Sequence, residues 1–170
     1  MKKILVIVFL LSVFFGKAQF KSATLQASGL TCAMCSNAIN KSLKTLSFIE
    51  KVDADIANSS FLIIFKQGAD INFDQLRKKV EDAGFSVAKL QVVTVFNNTA
   101  IENDRSVTVE GKVFHFLNIK NQVLNGEQTI TIVDKNFVPV KEYKKFAAFT
   151  KAESFKTGQA QGTRIYHVTI

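Results

Sequence analysis

The order of hydrophobic patterns in the first half of this 170-residue chain limits its fold more than any other feature. Two segments have apolar residues at helical spacing, one from about residue 35 to residue 46 and one that begins after Asp70 or Asn72 and ends at Gly84. Four other segments have the alternating or β-branched and aromatic pattern of strands: 24–28, 48–55, 61–65 and 85–93. The resulting order βαββαβ predicts a ferredoxin-like unit, in which two helices cover one face of an antiparallel sheet.

The only two cysteines, Cys32 and Cys35, lie three positions apart where the first strand pattern gives way to the first helix. We expect Cys32 in the loop and Cys35 in the first helical turn. There the helix dipole and exposed N–H groups lower the pKa of a thiol below its ordinary value of ~8.5. Thiolate sulfur selects soft ions such as Cu(I) and Zn(II), and two sulfurs suit low-coordinate Cu(I) better than tetrahedral zinc.

The same cysteine spacing also occurs in zinc ribbons, thioredoxin-like redox sites and structural disulfides. A zinc ribbon needs a second ligand pair, and the chain offers only His115 and His167, far downstream. A thioredoxin-type site often has an aromatic residue before the first cysteine, where this chain has Thr31. A soft-metal site is the preferred interpretation, and a thiol–disulfide oxidoreductase is an alternative.

Two motifs carry a family resemblance: Gly-Leu-Thr-Cys-Ala-Met-Cys at residues 29–35 and Val-Glu-Asp-Ala-Gly-Phe at residues 80–85. Through them, residues 23 to about 92 resemble the heavy-metal-associated (HMA) domain of copper chaperones, copper-transporting ATPases and the periplasmic mercury-binding protein. The family motif is G-M-T/D-C-x-x-C, in which the methionine packs beneath the loop. Leu30 replaces that methionine here, which is a conservative change.

The resemblance implies that Cys32 and Cys35 bind Cu(I), Zn(II), Cd(II) or Hg(II) and exchange the ion with a partner protein. That partner would be a metal-transporting ATPase or another envelope protein, and two copies of the chain could also share one ion as a metal-bridged homodimer. Met34 is expected to point away from the metal as a partly buried apolar side chain, and Phe85 to lie near the loop. The residues implied to support the metal loop are Gly29, Thr31, Met34 and Phe85.

The N-terminus is typical of an export signal. Two lysines follow the initiator methionine, and the apolar run over residues 4–15 is too short for a comfortable membrane span. We expect residues 1–18 to be a signal peptide and the protein to be exported, either periplasmic or secreted, with an uncleaved membrane anchor as the alternative. In an oxidising compartment the two cysteines can close into a disulfide, which blocks metal binding until the pair is reduced.

A polar stretch over residues 96–105 divides the chain. It predicts a linker between a metal-binding domain over residues 19–95 and a second domain over residues 106–170, which is long enough for one compact unit. The predicted fold class is therefore α+β, a ferredoxin-like domain followed by a small β-rich domain. An OB-like barrel is one interpretation of the second domain.

The second half contains two clear glycine signals. Gly111 interrupts a long strand pattern and is expected to bend a single strand. Asn125-Gly126 predicts a hairpin turn with a return strand after it. The predicted elements are strands over residues 106–118, 128–134 and 163–170 and a helix over residues 139–151.

Charge and motifs exclude several function classes. The net charge is +8, and it falls to +5 without the three lysines of the predicted signal peptide. This modest basic excess favours an acidic partner or, weakly, an anionic lipid surface, but no arginine cluster or aromatic-interleaved basic stripe predicts nucleic-acid binding. No Ser-His-Asp order, phosphate-binding glycine loop or carboxylate pair predicts an active site, so we do not expect an enzyme. His115 and His167 could form a further metal site. The second half is otherwise expected to bind or dock, and a third hypothesis makes the protein an envelope adaptor that acts through it.

Overall fold

The computed structural model describes residues 20–30 and 33–170. Its helices are α1 (Ala33–Leu43), α2 (Phe73–Asp82), α3 (Val140–Phe146) and α4 (Ser154–Thr157). Its strands are β1 (Phe20–Ser28), β2 (Ile49–Asp55), β3 (Ser60–Phe65), β4 (Ser86–Ile101), β5 (Arg105–Val109), β6 (Lys112–Phe116), β7 (Gln122–Ile132), β8 (Gln159–Ala160) and β9 (Thr163–Thr169). None of the described helices combines the length and the apolar character that a membrane span requires. The predicted signal peptide, residues 1–18, lies outside the described residues.

The first half has the ferredoxin-like arrangement that the sequence predicts. Its four strands stand in the order β2-β3-β1-β4, and every neighbouring pair is antiparallel. The apolar faces of α1 and α2 are buried in one core with the inward side chains of β1 and β3. The strands of the first half are amphipathic because alternate side chains point to opposite faces, and the two helices cover the apolar face.

Helix α2 begins and ends where the sequence signals lie. The side chain of Asn72 accepts a hydrogen bond from the backbone N–H of Gln75 at 3.1 Å, which caps the first turn. Gly84, with φ of +88°, takes the left-handed conformation just after the helix. This cap and this stop fix the length of α2 and so direct the chain from its end into β4.

Strand β4 is longer than predicted and includes most of the predicted linker. Residues 97–101 are part of the strand, and β4 pairs antiparallel with β7 from Leu90 to Ile101. The linker prediction over residues 96–105 is therefore wrong in its local structure. Those residues are polar because the pairing has a register shift after Phe96, which leaves the next two side chains exposed. The division into domains over residues 19–95 and 106–170 stays a prediction.

The strands of the second half continue the same sheet instead of starting a new one. Beyond β4 the order is β7-β9-β6-β5, with β8 paired to β9 outside this path. The β6–β9 pair is parallel, whereas β7–β9 and β5–β6 are antiparallel. No pairing among the described strands closes this sheet into a barrel, so the OB-like interpretation is not confirmed.

Both glycine signals of the second half belong to features other than the predicted ones. Glu110 and Gly111 have φ of +51° and +73° and form a two-residue hairpin turn, so the single bent strand is in fact β5 and β6. Asn125-Gly126 lies inside β7, where Gly126 pairs with Phe96 at the register shift. A positive φ at Asn-Gly suits a bulge as well as a turn, which explains the error. The helix predicted over residues 139–151 is shorter, because α3 ends at Phe146.

The two halves share one hydrophobic core. The ring of Phe73, at the start of α2, lies 5.3 Å from that of Phe20 and 5.2 Å from that of Tyr166, both in edge-to-face geometry. Phe114 of β6 completes this cluster at 6.3 Å from Phe73. Since side chains alternate along a strand, the neighbours of Phe114 and Tyr166 point to the other face of the sheet, which Phe155 of α4 covers.

Candidate metal centre

The predicted metal loop begins directly after β1. Gly29 has φ of +83°, a left-handed conformation that glycine adopts without strain, and it turns the chain out of the strand. Leu30 is partly buried and packs against the main core, which agrees with the packing role inferred for this position. Thr31 and Cys32 lie outside the described residues, so their predicted roles stay predictions.

Cys35 lies in the first turn of α1, as predicted, and its side chain is half-buried. The sulfur of Cys35 takes part in a disulfide, and Cys32 is the only other cysteine of the sequence. The next residue, Ser36, is buried, which anchors the first turn of α1 on the protein. Because a metal ligand must be a thiolate, two electrons have to be added to such a disulfide before its sulfur can bind metal.

Phe85 lies beside the start of the loop. A Cβ atom placed on Gly29 would lie 3.9 Å from Cδ1 of Phe85, and Phe85 itself packs against the main core. The backbone N–H of Phe85 donates to the carbonyl of Val80 at 3.1 Å, which ties it to the end of α2. Met34 is 83% exposed, so the prediction of a partly buried Met34 is wrong. It projects into solvent because it lies on the outer side of the first turn of α1.

The described residues contain no group of three or more His, Cys, Asp or Glu side chains that could hold a metal ion. The first turn of α1 also carries no acidic residue. Cys35 lies at the positive end of the α1 dipole, which stabilises a thiolate.

His115 and His167 do come together, as a further metal site would require. They are directly paired on the parallel strands β6 and β9, and their ring centroids are 5.2 Å apart. However, His115 contacts Ser106 through Nδ1 at 2.8 Å and Asp104 through Nε2 at 2.9 Å. His167 likewise uses both ring nitrogens. The four nitrogens are thus occupied by protein partners, and the geometry does not support a shared metal site.

The partners of His167 form a series that the sequence order did not reveal. Asp134 Oδ1 lies 2.7 Å from Nδ1 of His167, and Ser154 Oγ lies 3.1 Å from Nε2. This is the order of groups in a hydrolase triad. Here the imidazole is fully buried and its ring meets that of Phe155 edge to face. The series fastens α4 to β9 and to the end of β7.

A second contact between an aspartate and a histidine lies at the neighbouring strand β6, where Asp104 meets His115. The hydroxyl of Thr150 and the ring of His115 both hydrogen-bond Asp104, and together they lower the pKa of the Asp104 carboxyl. Thr150 lies in the connection between α3 and α4. The segment from residue 139 to residue 158, which we call the α3–α4 segment, is therefore held to the sheet by the contact of Ser154 with His167 and by that of Thr150 with Asp104.

A third cluster joins the two halves and was also missed. Asp74 of α2 accepts hydrogen bonds from Nε of Arg164 at 2.8 Å and from the hydroxyl of Tyr166 at 3.0 Å. Partial burial acts to raise the pKa of Asp74, but the hydrogen bond and charge of Arg164 outweigh it, so that the pKa is lowered. Arg164 and Asp74 are 90 residues apart, and no local pattern could have indicated their contact.

Comparisons with known proteins concern the first half. Residues 24–86 match the heavy-metal-associated domain family. The chain is 36% identical over 61 residues to a copper-transporting ATPase of Helicobacter pylori and 31% identical over 68 residues to a probable copper-exporting P-type ATPase of Archaeoglobus fulgidus. These matches cover 36% and 40% of this chain, which spans 8% of the length of each ATPase.

Solved structures similar to the first half include the yeast copper transporter domain CCC2A, 25% identical, and oxidized MerP from Ralstonia metallidurans, 28% identical. The yeast domain aligns with 39% of this chain and 90% of its own, with a TM-score of 0.35. MerP aligns with 41% of this chain and 96% of its own, with a TM-score of 0.36. The family match over residues 24–86 agrees with the ferredoxin-like strand order and with the position of Cys35. Residues 24–86 of this chain are a heavy-metal-associated domain.

Proposed function

We propose that the protein binds a soft metal ion through Cys32 and Cys35, with Cu(I) preferred over the other soft metals, and passes the ion to a partner protein. The observation that carries the proposal is the position of Cys35 in the first turn of α1, inside the segment that matches the heavy-metal-associated domain. The similarity of this segment to copper-transporting ATPases supports copper among the soft metals. Zn(II), Cd(II) and Hg(II) are weaker candidates on the same donor pair.

The chemistry of the donors favours transfer over permanent storage. Two thiolates leave a Cu(I) ion coordinatively unsaturated, so that a thiolate of a partner can bind before one of the original sulfurs leaves. The exposed Met34 shows that the first turn of α1 reaches the surface, where a partner can approach. A metal-transporting ATPase or another envelope protein fits this role, and a homodimer could bridge one ion in the same way.

Export sets the redox condition of this function. We propose that residues 1–18 direct the chain out of the cytoplasm, where an oxidising environment favours the disulfide in which Cys35 takes part. A partner or a small thiol would then have to reduce the pair before the ion binds. Metal capture would in this way follow the redox state of the compartment.

The test is a titration of the purified protein with Cu(I) and with Zn(II), in reduced and air-oxidised form, with thiols counted at each point. The reduced protein should bind one Cu(I) per chain, and oxidation or Cys32→Ser with Cys35→Ser should abolish binding. Met34→Leu is the matched control, because it removes the neighbouring sulfur and should leave Cu(I) binding intact. Full binding by the double serine variant would disprove the proposal.

A second candidate function is thiol–disulfide exchange, which the disulfide at Cys35 favours. It requires the protein to reduce a test disulfide well above the rate of a free dithiol at the same thiol concentration. Loss of that activity in Cys35→Ser, together with weak Cu(I) binding by the reduced wild type, would favour the oxidoreductase over the carrier.

A further inference from the structure

Helix α3 presents three lysines on one side. Its inner side is marked by Tyr143, which is half-buried, and Phe146, which is buried. Residues three and four positions apart are neighbours on a helix, so residues 141, 144 and 145 share the opposite, solvent-facing side. We call this side the lysine face, made of the exposed residues Lys141, Lys144 and Lys145.

The lysine face is not neutralised within the protein. Lys141 and Lys145 are like charges four positions apart, a spacing at which they repel each other. In the part of the chain that the structure describes, no carboxylate forms an ion pair with any of the three lysines, and the lysines that do form ion pairs lie elsewhere. A helix that keeps such a cluster gains when an external negative charge approaches it.

Helix α2 provides the contrast inside the same molecule. There Arg77 pairs with Glu81 at 2.6 Å and Lys78 pairs with Asp82 at 2.8 Å, each four positions on. These spacings are the ones at which opposite charges stabilise a helix. The basic side of α2 is thus neutralised within its own helix, whereas Glu142, the acidic residue of α3, forms no ion pair with the three lysines in the part of the chain that the structure describes.

Apolar side chains stand next to the lysine face. Val140, at the start of α3, is 69% exposed, and Phe149, just after the helix, is 39% exposed. Lys151 adds a further exposed cation two residues beyond Phe149. Cations beside exposed apolar groups are the composition of surfaces that lie in the interface of a lipid bilayer.

The lysine face is held in a fixed position. The ring of Tyr143 stacks on that of Phe155 at 4.7 Å, and its hydroxyl donates to the Phe155 carbonyl at 3.0 Å. Ser154 in turn contacts the buried His167. The α3–α4 segment therefore needs no ordering when it meets a partner, which lowers the entropic cost of docking.

We propose that the lysine face docks the protein on an anionic lipid surface. Three features favour lipid over an acidic protein. The cluster contains lysine and no arginine, and lysine ammonium groups are point charges without the planar fork that pairs specifically with carboxylates. The face is a helix surface, not a groove. Val140 and Phe149 can enter the headgroup region beside the cations. This inference does not depend on metal binding by the first half.

The test is co-sedimentation with vesicles of phosphatidylcholine, with and without one-third phosphatidylglycerol. The full chain should bind the anionic vesicles more tightly than the neutral ones, and this difference should shrink as the salt concentration rises. Each lysine near a charged surface contributes about a fivefold gain in binding. The triple variant Lys141→Glu, Lys144→Glu, Lys145→Glu should therefore bind the anionic vesicles about a hundredfold more weakly, or weaker still. All proteins compared carry the same apolar run over residues 4–15, which therefore contributes equally.

The matched control reverses three exposed lysines that are scattered over the fold, Lys44, Lys89 and Lys120, and so changes the net charge by the same amount. It should lose far less binding than the α3 variant. Phe149→Ser should weaken binding a few-fold without changing its salt dependence. An equal loss of vesicle binding in both triple variants would overturn the proposal. So would a wild-type protein that does not bind anionic vesicles but binds an acidic polypeptide, such as polyglutamate, at the same salt concentration.

Discussion

The two halves of the sheet differ in what holds them together. In the first half, α1 and α2 cover four strands, and every neighbouring pair of these strands is antiparallel. In the second half, β6 and β9 are parallel, and Phe114 and Tyr166 pack on Phe73 of the first half. The comparison shows that the second half completes a core that the heavy-metal-associated domain begins. The second half continues the sheet of the first half through β4 and is not a separate unit joined by a linker.

The strongest test of this shared core is Phe73→Ala. Because Phe73 is fully buried and contacts rings from both halves, we expect the free energy of unfolding to fall by about 3–5 kcal/mol. The only tyrosines of the chain, Tyr143 and Tyr166, lie in the second half, and there is no tryptophan. Denaturation followed by tyrosine fluorescence and by far-UV circular dichroism should therefore shift together. The control is the exposed Leu62→Ala, which should change little. An unchanged fluorescence transition in Phe73→Ala would mean that the second half is independent.

A slightly smaller effect is expected inside the second half. Asp134→Ala removes the buried carboxylate that contacts Nδ1 of His167 at 2.7 Å and pairs with Arg164 at 3.0 Å. Leaving the buried Nδ1 of His167 without its acceptor, and the partly buried Arg164 without one of its two carboxylates, should lower the free energy of unfolding by about 3 kcal/mol. Asp53→Ala, which breaks a solvent-exposed pair, is the control and should cost less than about 1 kcal/mol. Equal effects of the two substitutions would show that the buried series contributes no more than a surface pair.

The ion pair between the halves predicts a pH dependence. Asp74→Asn removes the carboxylate charge to which Arg164 and Tyr166 donate hydrogen bonds. We expect the free energy of unfolding to fall by about 2 kcal/mol near neutral pH. Because the pKa of Asp74 is lowered in the folded protein, its stabilisation is present above its ordinary pKa of 3.8 and is lost as the pH falls below that value. Wild type and variant should thus converge in acid. A constant difference down to the lowest pH at which the protein folds would contradict this assignment.

The smallest expected effect lies in the metal loop. Gly29→Ala places a side chain at φ of +83°, which should lower the free energy of unfolding by about 1 kcal/mol. Gly68→Ala carries the same backbone penalty at φ of +71° in an open turn and is the matched control. If the loop holds the metal, Gly29→Ala should weaken Cu(I) binding and Gly68→Ala should not. Equal Cu(I) affinity of the two variants would separate the conformation of Gly29 from metal capture.

Sequence patterns predicted the first half well because its signals are local. The cap at Asn72, the stop at Gly84 and the apolar spacing of α1 and α2 each depend on a few neighbouring residues. The second half depends on distant partners instead. Asp134 and His167 are 33 residues apart, and the register shift opposite Gly126 exists only because β4 continues beside β7. Without those partners, a polar stretch resembles a linker and Asn-Gly resembles a turn.

The position of β9 has a consequence for the order in which the chain assembles. Although β9 follows the eight other described strands along the sequence, it lies between β7 and β6. The β5–β6 hairpin therefore has no place in the sheet until residues 163–169 are available, whereas β1 to β4 and β7 can pair before that. During synthesis, the hairpin must wait for about fifty further residues, a delay in long-range pairing of the kind that slows folding.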